Sequence, residues 1–416
     1  MTNALRASHP AKGSSQEGGR LRRGPLLLMS VATGLSVAGN YFAQPLLDVI
    51  GRELRLSTTM AALIVTAAQA GYALGLMTLV PLGDLVERRR LAVALLGATS
   101  VFLLVSAVAP SGPVLLAGTL LTALTSVAAQ VVVPFAVTLA APEERGRVVG
   151  TVMTGLLLGG LLARTASGAL SEPAGWRTIY WVNAILVAVV AVLLWRFLPR
   201  LHTPAGLSYP ALLRSTAALF RDEPVLRLRA GIGALSLASF NVLWTAVTFL
   251  LAGPHYGWSE AQIGLFGLVG VAGTLSTPVA GRLADRGLVG WVGGVGTALL
   301  ALSWAATGMG GGGSLAWLLG GVLVLNAAQQ AVLNANQNVL YALRPEIRNR
   351  LNSAFMTAFF AGGAAGSALT SVVWVHGGWT GVSVLGGTLA AGSFALWALD
   401  RARGGDLKGS AGTPGR

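Results

Sequence analysis

The sequence predicts an all-α polytopic membrane protein, with twelve transmembrane helices in two six-helix, pseudo-symmetric bundles. Three observations carry that reading: the composition, the count of apolar stretches and an internal repeat. Of 416 residues, 54% are hydrophobic and 11% charged, less than half of the roughly 25% charge of a soluble domain. Such a chain cannot cover its surface with charge in water, and its apolar content excludes disorder. The net charge of +14 comes from sparse basic residues between long apolar runs, not the clustered patches that bind nucleic acid. The absence of Cys excludes disulfides, thiolate nucleophiles and Cys-ligated metals.

A membrane helix needs roughly 20 apolar residues to cross about 30 Å of hydrocarbon. Twelve stretches qualify, near 26–48, 59–82, 91–109, 113–140, 148–170, 176–198, 226–252, 260–284, 289–309, 315–342, 351–375 and 379–399. They organise the chain into a disordered cytoplasmic tail (1–25), an N-terminal bundle (26–198), a central cytoplasmic loop (199–225), a C-terminal bundle (226–399) and a second cytoplasmic tail (400–416). With the N-terminus inside, only Arg52, Arg55 and Arg177 fall in outer loops and Arg164 inside a span, which leaves 25 of the 29 basic residues on the inner side. The positive-inside rule therefore expects both termini in the cytoplasm of an integral plasma membrane protein, of bacterial type. Within the central loop, 203–222 is amphipathic and suits the membrane surface.

The halves repeat. Pro142-Glu143-Glu144-Arg145-Gly146-Arg147 returns as Pro345-Glu346-Ile347-Arg348-Asn349-Arg350, and Met153-Thr154, Gly159-Gly160 and Gly175-Trp176 return 203 residues later. At an offset of 201, Asn40 pairs with Asn241 and Asp84 with Asp285. Parallel six-span repeats imply two bundles that rock about a site between them near the midplane.

The spans carry polar faces, and a polar side chain in hydrocarbon faces a cavity or a packed neighbour. Thr33, Asn40 and Gln44 share a face of the first span, with Pro45 positioned to kink it. Thr119, Thr122, Ser126 and Gln130 share one in the fourth, and Asn241, Trp244, Thr245 and Thr248 cluster in the seventh. In the tenth, Asn326, Gln330, Asn334, Gln337 and Tyr341 fall within about an 80° arc at 100° per residue. Two readings stand for these groups: a substrate cavity, with Asn40, Gln44, Gln130, Asn241, Trp244, Asn334, Gln337 and Tyr341 as its candidates, or interhelical hydrogen bonding without a substrate. Gln329, Asn336 and Asn338 lie off the tenth-span face and read as structural. Tyr41, Tyr72 and Trp244 offer stacking surfaces or core packing. The set suits a neutral or weakly charged organic molecule better than a polyanion.

The loop after the second span reads Pro81-Leu82-Gly83-Asp84-Leu85-Val86-Glu87-Arg88-Arg89-Arg90. It is similar to the signature loop of the major facilitator superfamily, and Gly281-Arg282-Leu283-Ala284-Asp285-Arg286-Gly287 is its counterpart in the second half. Glu87 and Val80 stand where that pattern has Gly. The whole chain resembles this superfamily, and Asn40-Tyr41-Phe42-Ala43-Gln44-Pro45-Leu46-Leu47 resembles its drug:proton-antiporter-like branch of sugar or drug efflux permeases. The resemblance implies the major facilitator fold, with the first, fourth, seventh and tenth spans lining the cavity. It implies a cytoplasmic gate at Asp84, Arg88, Arg89, Asp285 and Arg286, and proton antiport as the mechanism. An anion at a helix end can accept from exposed N–H groups of a neighbouring helix, and the Arg88–Arg90 run can pair with Glu143 and Glu144. The other reading of these residues is solvated charge that sets topology.

Two charges stand apart. Arg164 lies in the fifth span, after Gly155, Gly159 and Gly160, and must face a cavity or partner or snorkel to the outer interface about two turns away. No Asp or Glu lies mid-span; Asp48, one turn beyond Gln44, is the nearest coupling acid or else a solvated helix-end charge. His255 and His376 read as surface residues. There is no phosphate loop, metal-ligand cluster or catalytic constellation, so no cofactor, metal or enzymatic activity is expected. The expected function is secondary active transport of a small organic solute by alternating access, as efflux coupled to proton entry. The alternative is an importer or uncoupled facilitator of the same fold; a non-transporting membrane receptor is the alternative from another class, against which the polar faces, the gate-like loops and the lack of a soluble sensor domain argue. The expected partners are that solute, protons as the coupling ion and membrane lipids, with no nucleic acid, for a monomer.

Overall fold

In the computed structural model the described residues, 23–200, 208–344 and 347–402, are helical apart from short turns. Among the described residues, nine helices are long and apolar enough to cross a membrane: Thr58–Gly83, Arg88–Ala107, Gly112–Leu139, Arg145–Ala174, Arg177–Phe197, Pro224–Ala252, Val289–Gly310, Leu315–Leu343 and Arg350–Ala402. The last of these counts as two. The helix Arg348–Ala402 has 55 residues, and at 1.5 Å per residue a straight rod would run about 80 Å, nearly three hydrocarbon thicknesses. It breaks at Gly378 (φ 52°, ψ −147°), a conformation open only to glycine, and Val373 comes back against Gly381. The eleventh and twelfth spans are thus an antiparallel hairpin.

Two further spans are built from pieces. The first comprises Arg23–Ala38, a turn, Gln44–Leu46 and Leu47–Glu53. Pro45 supplies no N–H for the helical ladder, so the chain unwinds between residues 39 and 46. The eighth comprises Glu260–Phe266, a 3₁₀ turn at Gly267–Gly270, and Val271–Asp285. Its start is fixed locally: Ser259 Oγ accepts from the Gln262 N–H (3.4 Å) and Gln262 Oε1 accepts from the Ser259 N–H (2.9 Å), a capping box. Together these make the twelve spans expected from the sequence. Both terminal spans reach the same side, called here the tail end; the opposite side is the far end.

The sequence repeat has a packing equivalent. Within membranes helices gain from close backbone approach through small residues. Gly34 of the first span meets Gly155 and Gly159 of the fifth, where a Cβ on Gly34 would fall 2.6 Å from the Gly155 carbonyl oxygen. In the second half, Gly362 and Gly366 of the eleventh span lie against Ala234 and Ala238 of the seventh in the same way. The repeated Gly-Trp is a corner. Gly175 (φ 81°) and Gly378 (φ 52°) turn the chain at the far end, and the tryptophan that follows plugs the bundle. Trp176 donates to Glu53 Oε2 (2.7 Å) and Trp379 to the Thr307 carbonyl (2.9 Å).

The segment between the bundles forms a helix, Tyr209–Asp222, which buries Leu212, Thr216 and Leu219 on one side. It is tied to the tail end of the second span by the Tyr209 hydroxyl, which donates to the Thr78 carbonyl (2.8 Å). The expected amphipathic helix is therefore present, and its apolar face lies on the bundle. Of the expected tails, 1–25 and 400–416, residues 23–25 and 400–402 are helical, and 1–22 and 403–416, like residues 201–207 and Pro345-Glu346 of the repeat, lie outside the described residues.

Candidate functional site

The unwound part of the first span brings Gln44 to the boundary between the two halves. Its backbone carbonyl accepts from Thr248 Oγ1 of the seventh span at 2.6 Å. Its side-chain Oε1 accepts from Arg164 Nε of the fifth at 2.6 Å. One residue thus joins three spans and both bundles. Non-helical backbone at membrane depth is tolerated where protein or a cavity receives its free groups, and Thr248 is such a receiver here.

Arg164 is 7% exposed, so the structure overturns the outward-snorkelling alternative. Its guanidinium carbon lies 4.5 Å from the ring centre of Tyr41, in the same half, and 4.3 Å from that of Trp244, in the other. Besides Gln44 it donates, at a long 3.4 Å, to the Gly160 carbonyl of its own helix. No described acid pairs with it. The side-chain stem runs along Gly267, where a Cβ would come 2.8 Å from Arg164 Cβ; a larger residue there would push the arginine aside. The charge is sustainable without an acid. Burying an ion costs several kcal/mol, while a desolvated cation over a ring gains about 2 kcal/mol and a hydrogen bond to a charged group about 1.5–3 kcal/mol. Two rings and one amide therefore offset the burial to within a few kcal/mol.

Gln44, Pro45, Arg164, Trp244, Val247, Thr248, Ile263 and Phe266 line a narrow slot between the halves. Gln44 Nε2 and Trp244 Nε1 are buried there and have no hydrogen-bond partner among the described residues. The same holds for Asn40 Oδ1, Asn241 Nδ2, Asn334 Nδ2 and the hydroxyls of Thr119 and Thr122. Buried polar groups are seldom left unpaired; Thr66, Gln69 and Ser383 of other spans share the feature, but its weight on the first, fourth, seventh and tenth spans marks a polar interior.

Other candidates go elsewhere. Gln130 donates to the Tyr72 hydroxyl (3.3 Å). Gln337 and Tyr341 both donate to Asn352 Oδ1 (3.2 and 2.9 Å), which forms a separate cluster toward the tail end. Gln329 reaches Ser236 of the seventh span (3.4 Å), as expected for an off-face residue. Asp48 pairs with Arg52 (2.9 Å), and Arg52 also reaches Glu260 of the eighth span (3.4 Å). With the Thr165 hydroxyl, which donates to the Gly264 carbonyl (3.1 Å), this line of contacts joins the halves at the far end.

The signature loop behaves differently from its expected pairing. Arg88 donates to Thr138 Oγ1 (2.7 Å) at the end of the fourth span. Arg89 caps the sixth span through the Leu198 carbonyl (2.9 Å), lies over Trp195 and approaches Glu87 (3.4 Å). Arg90 pairs with Glu87 (3.0 Å). Glu87, which departs from the expected glycine, is thus the acid for two of the three arginines. Glu143 is exposed, as is Arg286. The side chains of Asp84 and Asp285 lie outside what the structure describes.

Sequence reasoning missed Asn352, Ile263 and Phe266. Asn352 carried a usable signal, a polar residue entering an apolar span. Ile263 and Phe266 carried none, because apolar residues in a membrane helix are unremarked until the helices are placed.

Twelve spans in two repeated bundles, with a polar interior and a slot between them, define a membrane transporter fold. The family model of the Major Facilitator Superfamily matches residues 29–287 and 230–414, and the chain belongs to that superfamily. It is 49% identical over 372 residues to the "Uncharacterized transporter YgaY" of Escherichia coli O157:H7, covering 89% of this chain and 94% of that one. It is 35% identical over 394 residues to a transporter of Streptomyces coelicolor, SCO4007, covering 93% and 89%. Among solved structures, a bacterial homolog to human lysosomal transporter Spinster superposes with a TM-score of 0.74 at 16% identity, over 94% of this chain and 98% of that one. The nucleoside transporter NupG gives 0.73 at 13% identity, over 91% and 99%. The family and the relatives make the chain a membrane transporter, not an enzyme.

Proposed function

We propose that this transporter moves a small organic solute by alternating access, exporting it in exchange for protons, with both tails in the cytoplasm of a bacterial inner membrane. The observation that carries the reading is the slot around Arg164, Gln44 and Trp244, where buried polar groups without partners meet at the boundary of two bundles. In a rocking mechanism that boundary is where a solute is held. The distribution of basic residues supports the orientation, and the resemblance of residues 40–47 to the antiporter-like branch supports efflux. Asp48 is the proposed proton acceptor: it sits in the far-end ion line with Arg52 and Glu260, and its protonation would release Arg52. Asp84 and Asp285, with Arg88, Arg89 and Arg286, are proposed to act at the opposite gate.

One observation favours an uncoupled facilitator: no Asp or Glu lies in the middle of any span. Counterflow of radiolabelled solutes in proteoliposomes, with and without an imposed pH gradient, separates the two. Antiport predicts accumulation driven by the gradient and lost in Asp48→Asn. Exchange that ignores the gradient means a facilitator, and an absence of flux for every solute would overturn the transport reading. Asp84→Asn is expected to slow exchange at equal protein level.

A further inference from the structure

We propose that the transported solute carries a carboxylate, and that Arg164, Gln44 and Trp244 form the subsite for it; this deepens the transport reading above and rests on it. The sequence alone suggested a neutral or weakly charged solute. The geometry around Arg164 points to an anion.

The argument begins with which donors are used. A guanidinium only donates, so the Gln44 oxygen must be the atom that faces Arg164 Nε. That contact, at 2.6 Å, fixes the amide orientation and leaves Gln44 Nε2 as a donor with no described partner. Trp244 Nε1 is likewise an unpartnered donor. With Nε committed, the terminal nitrogens of Arg164 hold one long bond to Gly160 at 3.4 Å. Gln44, Trp244 and Arg164 all line the same slot and are each more than nine-tenths buried. The slot therefore offers several N–H donors, one full positive charge and no acid among the described residues. Of its remaining walls, Pro45, Val247, Ile263 and Phe266 are apolar, and the Thr248 hydroxyl is held by its bond to the Gln44 carbonyl.

A carboxylate matches this set in charge, in planarity and in the number of lone pairs it presents to a guanidinium edge. A phosphate dianion would need a second cation, and none of the described lining residues supplies one. A cationic solute would meet like charge, and a neutral one would gain no charge-assisted hydrogen bond from its side.

The same arrangement links binding to movement. Tyr41 lies in one half and Trp244 in the other, and both cover the guanidinium. A bound carboxylate neutralises the cation, so closure around a loaded site no longer buries an unpaired charge. The solute thereby shifts the balance between open and occluded forms through its differential interaction with the two.

The test uses the full chain, purified and reconstituted. Benzoate, phenylacetate and hexanoate are titrated by calorimetry beside their primary amides and the matched amines, and the same compounds are run in counterflow. Carboxylates should bind while amides and amines do not. Arg164→Gln should weaken carboxylate binding about ten- to a hundredfold, the loss expected for hydrogen bonds to a charged group, and Arg164→Lys should retain part of it. Gln44→Glu is the second variant: it places a resident carboxylate on Arg164 and should abolish carboxylate binding by occupying the subsite. Carboxylate affinity unchanged in Arg164→Gln or Gln44→Glu would overturn the proposal. So would amides or amines that bind as tightly as the acids, or counterflow of neutral or cationic solutes without any carboxylate binding; the transport reading would then survive. No binding and no exchange by any compound would overturn both.

Discussion

Three arginines in this protein are buried to a similar extent, and each solves the cost of burial in a different way. Arg229, 9% exposed, sits in the second turn of the seventh span and pairs at 2.5 Å with Asp400 in the last turn of the twelfth. Arg89, 8% exposed, takes the carbonyls at the end of the sixth span and the nearby Glu87. Both lie at the tail end, where helix termini offer free carbonyls and acids are affordable. Arg164, 7% exposed, lies at depth and has an amide and two rings. On the proposal above, the difference separates structural charge from functional charge. A charge that only holds helices together comes with its counter-ion. A charge that must receive something from outside is held in place by neutral groups and keeps donors unspent.

That contrast can be broken experimentally. The largest effect is expected at the tail end. Arg229→Met leaves the partly buried Asp400 without its partner and should lower stability by about 2–3 kcal/mol, seen as a depressed melting temperature of the purified protein. The double change Arg229→Met with Asp400→Leu should recover most of it, since an apolar pair of similar volume is often neutral. Arg164→Gln should show the opposite pattern: a melting temperature equal to or above that of the unaltered protein, with solute exchange reduced at least about tenfold. A collapse of stability in Arg164→Gln, like that of Arg229→Met, would erase the distinction. Arg89→Lys keeps the charge but not the planar fork that reaches the Leu198 carbonyl, and should cost about 1 kcal/mol. The smallest change is Asp48→Asn. Its partner Arg52 is exposed, so stability should move by less than about 1 kcal/mol, while a gradient-driven assay reads its role in coupling separately.

Much of the fold was legible before any coordinates. Twelve apolar stretches became twelve spans because hydrocarbon thickness sets their length and every backbone N–H must be satisfied within the helix. Even the break in the first span was foreshadowed by Pro45, and the repeated Gly-Trp by its recurrence 203 residues on. At Gly378 the backbone leaves the helical region (φ 52°, ψ −147°) and the chain reverses between the eleventh and twelfth spans.

The site was legible by residue but not by partner. Gln44, Trp244 and Arg164 were each singled out by polarity or charge in an apolar run. Their meeting was not, because they lie on three spans, and periodicity within one helix carries no information on the rotation of another. The same limit explains Gln337 and Tyr341, which share a helical face with Asn334 but turn to Asn352. It also explains the arginine run, whose counter-ion came from its own loop, at Glu87.

The sequence by itself determined that this chain crosses a membrane twelve times in two related halves, since hydrophobic length, backbone satisfaction and repetition are properties of a line of residues. Only the tertiary structure decided which polar atoms remain unpaired and that Arg164 has aromatic rings and an amide for neighbours instead of an acid. Pairing depends on distances between helices, which packing sets after the spans have formed.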